Sequence, residues 1–240
     1  MENRPTKRAA PWMFPAALLL AVSMVACFAS PASAGDGQEA IQLVEKARFA
    51  FESFMTDAKM EPFRGLVKRA RGVFISPQLL KGAFIIGVSG GSGVLVVQDE
   101  RTGQWNGPCF YTIGGASFGF QIGGEASEVT LLAMTERGVS SLLWSSLKLG
   151  ADAGLAAGPV GMGVSAATAN LSADILSFSR SKGLYGGISL DGAVVATRGD
   201  WNEAYYGKVV TPTDILVRRA VVNPQARSLI EAVAKATAGK

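Results

Sequence analysis

The chain has 240 residues, of which 48% are apolar and 18% charged, so it is globular rather than disordered and long enough for one sizeable core. It contains no histidine and only two cysteines, which excludes Ser-His-Asp and Cys-His catalysis, H-E-x-x-H zinc hydrolysis and thiolate metal clusters. The net charge is +4 and falls to +2 once residues 1–34 are set aside, too little for general nucleic-acid binding.

Residues 1–34 have the layout of a secretory signal peptide. Arg4, Lys7 and Arg8 form a basic start, "AALLLAVSMVACFA" an apolar run, and "SPASA" places Ala32 and Ala34 in A-x-A spacing. Three fates fit the segment: cleavage after Ala34, lipoprotein processing at Cys27 in "MVAC", or retention as an anchor. Cleavage after Ala34 is the reading taken, because Met24 stands where a lipoprotein site usually has Leu and the apolar run is near the lower limit for a span. The expectation is an exported protein of the periplasm or cell envelope whose domain covers 35–240. Only Cys109 then remains, in the strand-like run "GPCFYTI", as a small buried apolar residue without a disulfide partner.

Apolar residues at three- to four-residue spacing from Ile41 through Val44, Ala47, Phe51 and Phe54 predict an amphipathic helix over 37–60, with Asp36 as its cap. Strands are expected at 72–76, 83–88, 94–99, 107–113, 117–123 and 128–135. A short helix is expected at 138–147, then strands at 175–181, 184–190 and 193–197. Asp191-Gly192 reads as a two-residue hairpin turn. Thr211 with Pro212 and Asp214, and then Asn223 with Pro224, mark the starts of two C-terminal helices. No long linker divides the chain. One α+β domain is expected, with an antiparallel β-sheet or barrel core, an N-terminal amphipathic helix and C-terminal helices.

All 29 glycines fall after position 34, and four of them lie in "GVSGGSGV", residues 87–94. A phosphate-binding Walker loop requires Lys after the last glycine and a helix beyond it. Here Val94 follows Gly93 and "VLVVQD" is strand-like, so Gly90 to Gly93 are expected to form a hairpin turn. "GMGVSA" at 161–166 matches G-x-G-x-x-A without a surrounding βαβ unit. Two S-x-x-K matches, at 145–148 and 179–182, lack the S-D-N and K-T-G partners of a serine-lysine acylase. No enzymatic activity, cofactor or metal is expected.

One local cluster remains. "KMEPFRGLVKRAR" holds Lys59, Arg64, Lys68, Arg69 and Arg71 against the single acid Glu61, and Lys81 follows. It adjoins a helix carrying Phe49, Phe51 and Phe54. Basic groups beside apolar anchors suit an anionic lipid surface. The same pattern also fits a helix packed on the sheet with a solvated charged edge.

Several long blocks resemble a known family. "ARGVFISPQLLKGAFIIGVSGGSGVLVVQD", "GQWNGPCFYTIGGASFGFQIGGEASEVTLLAMTERG", "KLGADAGLAAGPVG", "ILSFSRSKGLYGGISLDGAVV" and "AYYG" occur in the order found in the SYLF domain, over roughly 40–217. The resemblance implies a lipid-binding module. Eukaryotic members bind phosphoinositides through an amphipathic N-terminal segment and nearby basic residues, and some bind actin filaments. Carried over by position, it points to residues 40–60 and to Lys59, Arg64, Lys68, Arg69 and Arg71. With Phe51, Phe54 and Lys81 these form the candidate lipid-binding set. In an exported, bacterial member the expected partner is anionic phospholipid rather than actin. The alternative is a structural or protein-interaction component of the envelope that binds no lipid specifically.

Overall fold

Alternation along the central strands dictates two apolar layers, because successive side chains of a strand point to opposite faces. The computed structural model describes residues 34–83, 86–118, 123–158, 173–181, 184–186 and 190–238. The segment at 1–33, "GMGVSA", and Lys182 of the second S-x-x-K match lie outside the described residues. Helix α1 spans Ala34–Thr56 and α2 Glu61–Val67, joined by a 3-10 turn. Four long strands follow: β1 Gly72–Ala83, β2 Ile86–Gln98, β3 Trp105–Phe118 and β4 Gly123–Ala133. Helix α3, Glu136–Leu142, precedes the short strands β5 Ser146–Lys148 and β6 Leu155–Ala157. Then come β7 Ile175–Ser181, β8 Leu184–Gly186 and β9 Val194–Thr197. Three helices end the chain: α4 Gly199–Tyr206, α5 Pro212–Leu216 and α6 Arg227–Thr237.

The strands form one sheet in the order β5-β9-β3-β2-β1-β4-β7-β6, with β8 also on β7. Every pairing is antiparallel except β6 on β7. On one face Val73, Ile75, Val94, Val96, Phe110, Leu132 and Phe178 pack under α1, α2 and α6. On the other, Phe74, Leu95, Tyr111, Ile113, Val129 and Leu131 pack with Leu142, Leu147, Val195, Ile215 and Leu216. The α+β class, the N-terminal helix and the C-terminal helices are those expected from the sequence. So is the Thr211 cap, where Thr211 and Asp214 bond each other's backbone N–H reciprocally.

Two expected turns are not hairpins. Gly90 to Gly93 lie inside β2, paired with β1 on one side and β3 on the other. The glycines serve close packing instead. A Cβ at Gly91 would overlap the carbonyl oxygen of Gln78, and one at Gly93 would overlap the Phe74 ring. Both contacts arise beside a bulge in β1. Register slips between Ile75 and Gln78 against β2, and between Ser76 and Leu79 against β4, with Pro77 in the irregular segment. The three separate strands expected over 72–99 are therefore two long ones. Asp191-Gly192 does turn the chain, with Gly192 at φ 79°. Its flanking strands do not pair with each other: β8 joins β7, whereas β9 joins β3 and β5.

Candidate functional site

The apolar stripe of α1 covers the sheet. Phe51 and Phe54 are buried, and Phe63 of α2 ties them together, its ring centroid 6.0 Å from Phe51, 5.3 Å from Phe54 and 5.1 Å from Phe178. Neither Phe51 nor Phe54 reaches a bilayer in this fold, because their ring edges are already enclosed by core partners. The exposed aromatic of the helix is Phe49, 60% accessible, with the Arg48 guanidinium 4.0 Å from its ring centroid. Arg48 is itself held between Glu45 and Glu52, at 3.2 and 2.8 Å.

The basic residues do not form one patch. Lys59, Lys68 and Arg69 are exposed. Arg64 turns back to the Asp57 carbonyl. Arg71 is enclosed by two carboxylates, Glu100 and Glu136, the second at 3.2 Å. Lys81 lies at the far end of β1, opposite Glu125 of β4. At about 3.3 Å per residue, Arg71 and Lys81 are separated by roughly 30 Å.

A different arrangement is present on the helix-bearing face. The long strands run past the end of the helical layer, so Leu80 and Val88 are 54% and 60% exposed there. Register places them diagonally on adjoining strands, since Leu80 faces Gly90 and Gly82 faces Val88. Small residues continue the surface: Gly90 pairs with Gly114, and Val88 with Ala116. Where this overhang meets α1, Lys46, Phe49, Gln78, Glu128 and Arg180 line a groove of about 760 Å³. Burial pushes the Glu128 carboxyl above its ordinary value, and the Arg180 guanidinium opposes that shift. Isolated surface valines and leucines are ordinary, so the candidate surface is the pair Leu80 and Val88 taken together with the groove. Hydropathy pointed to the helix; only the length mismatch between strands and helices exposes the sheet.

Cys109 is buried and its thiol is pushed up to about 12 by desolvation. Burial also raises Tyr111, Tyr205 and Tyr206. Among the described residues no group of three or more His, Cys, Asp or Glu side chains is placed to hold a metal ion. No described helix is long and apolar enough to cross a membrane.

The family model for Ysc84, described as Las17-binding protein actin regulator, matches residues 114–236, from the middle of β3 to the last helix. The chain belongs to this family. The SYLF resemblance read from the sequence blocks is thereby shown. Among the SYLF protein's relatives, Protein YSC84 of Saccharomyces cerevisiae is 32% identical over 182 residues, covering 74% of this chain and 38% of its own length. The human SH3 domain-containing YSC84-like protein 1 is 30% identical over 168 residues, 69% of this chain and 48% of its own. LAS seventeen-binding protein 3 of S. cerevisiae is 32% identical over 158 residues, 64% of this chain and 34% of its own. The SYLF chain thus spans between about a third and a half of these relatives. The family description names a binding protein and regulator rather than a catalyst.

Proposed function

We propose that this SYLF protein is a non-catalytic module that docks on anionic phospholipid surfaces of a bacterial cell envelope, exported by residues 1–34. The observation that carries the reading is the uncovered sheet overhang, Leu80 and Val88, beside exposed Phe49 and Lys46 on the groove rim. Transfer of such side chains from water into an acyl boundary is favourable by about 25 cal/mol per Å². Each basic group held near an anionic surface adds about 1 kcal/mol. Lys59, Lys68 and Arg69 supply exposed charge of the right sign. The test is co-sedimentation with phosphatidylglycerol vesicles against phosphatidylcholine vesicles. Leu80→Ser with Val88→Ser should abolish retention on the anionic vesicles. Retention equal to wild type would remove the sheet face from the reading.

The family description and one relative's name favour a second reading. They describe partners of Las17 and regulation of actin, which are protein interactions. On that reading the same overhang receives a protein. Co-sedimentation with actin filaments in the absence of vesicles separates the two.

A further inference from the structure

A second concave surface lies away from the groove under α1. The start of β3 and the connection between α5 and α6 enclose a cleft of about 320 Å³, lined among others by Trp105, Asn106, Arg219, Val222, Arg227 and Ile230. Asn106 is only 4% exposed. Its Nδ2 donates to the Leu216 carbonyl at 3.1 Å, which fixes the orientation of the amide. Its Oδ1 is buried and receives no donor among the described residues.

Charge and apolar surface complete the cleft. Arg219 and Arg227 are exposed and neither is in an ion pair among the described residues, while Arg219 Nη1 donates to Gln104 Oε1 and so is held at the cleft rim. Glu231 is the single acid among the lining residues. Arg219 holds φ 52°, the left-handed region that favours glycine, and is alone in this among described non-glycine residues. Val222 is 76% exposed beside Trp105 and half-buried Ile230. The indole of Trp105 is anchored by its Nε1–H to Thr237 Oγ1 at 3.0 Å, so the apolar wall is fixed.

We propose that this cleft docks an extended peptide segment of a partner protein, one that carries a carboxylate side chain next to an aliphatic one. The peptide backbone crosses the cleft beside the Asn106 side chain. The carboxylate takes charge-assisted hydrogen bonds from Arg219 and Arg227. The aliphatic side chain packs on Trp105, Val222 and Ile230. The volume is at the low end for ligand pockets, which suits two adjacent side chains and not a folded domain. A phosphate would satisfy the arginines but would leave the apolar wall of Trp105, Val222 and Ile230 uncovered, so the peptide is the better complement. This inference does not depend on the lipid reading, which uses other residues.

The test is a ¹⁵N NMR titration of the full chain with three blocked peptides that differ at one position: Asp-Leu, Asn-Leu and Lys-Leu at their centres. The Asp-Leu peptide should move the Trp105 indole and Asn106 side-chain signals with a dissociation constant of about 1 mM or tighter. Arg219→Ala with Arg227→Ala should weaken it at least about tenfold. Val222→Asp, an exposed substitution, should weaken it similarly while leaving the remaining spectrum in place. Inorganic phosphate should shift arginine signals without moving the Asn106 side chain. Equal binding of the Lys-Leu peptide, no shift at Asn106, or unchanged binding in the double arginine variant would each overturn the proposal.

Discussion

Arg180 on β7 stands directly opposite Glu128 on β4, with its Nη2 2.7 Å from the carboxylate Oε2. The same guanidinium reaches Asp57 at the end of α1, 3.8 Å away, and lies 5.9 Å from the centroid of the Phe54 ring. It therefore links two strands to the helix that covers them. Both ionised partners are partly buried, so Arg180→Ala should cost about 1–3 kcal/mol by leaving a carboxylate without its cation. Chemical denaturation checks the value.

The pH dependence of this pair has a definite sign. Burial raises the folded-state pKa of Glu128 above its ordinary value. Its contribution to stability is present below the unfolded pKa and is lost as pH rises through the folded one. Glu128→Gln, which cannot ionise, should not show that loss. Denaturation midpoints at pH 4 and pH 7 should therefore differ less in Glu128→Gln than in wild type, on the arm set by this group.

Asp174 behaves in the opposite way. Its carboxylate accepts from Thr135 Oγ1 at 2.7 Å and from the Gly154 N–H at 3.0 Å, with Arg137 3.4 Å away. The Thr135 hydroxyl leads in holding it below the usual carboxylate range. Its contribution is present above the unfolded pKa and is lost as pH falls through the folded one. Asp174→Ala should cost about 1–3 kcal/mol at neutral pH and much less in acid.

Three phenylalanines on one helix should separate core from surface. Phe51→Ala and Phe54→Ala each remove a buried ring and should cost about 3–5 kcal/mol. Phe49→Ala should change stability by no more than about 0.5 kcal/mol and should weaken vesicle retention. Thermal denaturation and vesicle co-sedimentation of the three variants check both statements. If Phe49→Ala is retained on vesicles as well as wild type, its ring is not an anchor.

Arg219 carries a conformational cost for an L side chain, about 1–2 kcal/mol in the left-handed region. Arg219→Gly should therefore raise stability by a fraction of that amount, while losing affinity for the acidic peptide. The melting temperature and the NMR titration report the two effects independently.

The order of the elements was legible wherever a local signal coincided with its tertiary use. The Thr211-Pro212-Asp214 signature marks a real cap, and "ILSFSRS" is β7 from end to end. The 3.6-residue stripe of α1 placed Phe51 correctly on an apolar face, but periodicity alone does not tell a core from a bilayer. Helix α4 was missed because "GDWNEAYY" has no strong apolar stripe; it is held by Asn202, whose Oδ1 accepts from the Phe110 N–H at 2.9 Å across 92 positions. Gly207, left-handed at its C-terminus, was the one available stop signal. The β2 glycines misled for a related reason. Turn chemistry and close strand packing both select glycine, and only the neighbouring strands tell them apart.

The sheet's outermost positions in the pairing order have a consequence for solubility. Both are three-residue strands, β5 on one side and β6 on the other, and among the described residues β3 and β4 are paired outward only over Tyr111–Gly114 and Glu128–Ala133, whereas β1 and β2 are paired on both sides. An unpaired strand edge is a template for another chain, and its hazard grows with its length. Leu80 and Val88 lie open on β1 and β2, whose backbone is already paired on both sides, so contact through them recruits side chains and not backbone. An adhesive face on these two strands therefore offers a second chain side chains to hold but no β1 or β2 backbone to extend.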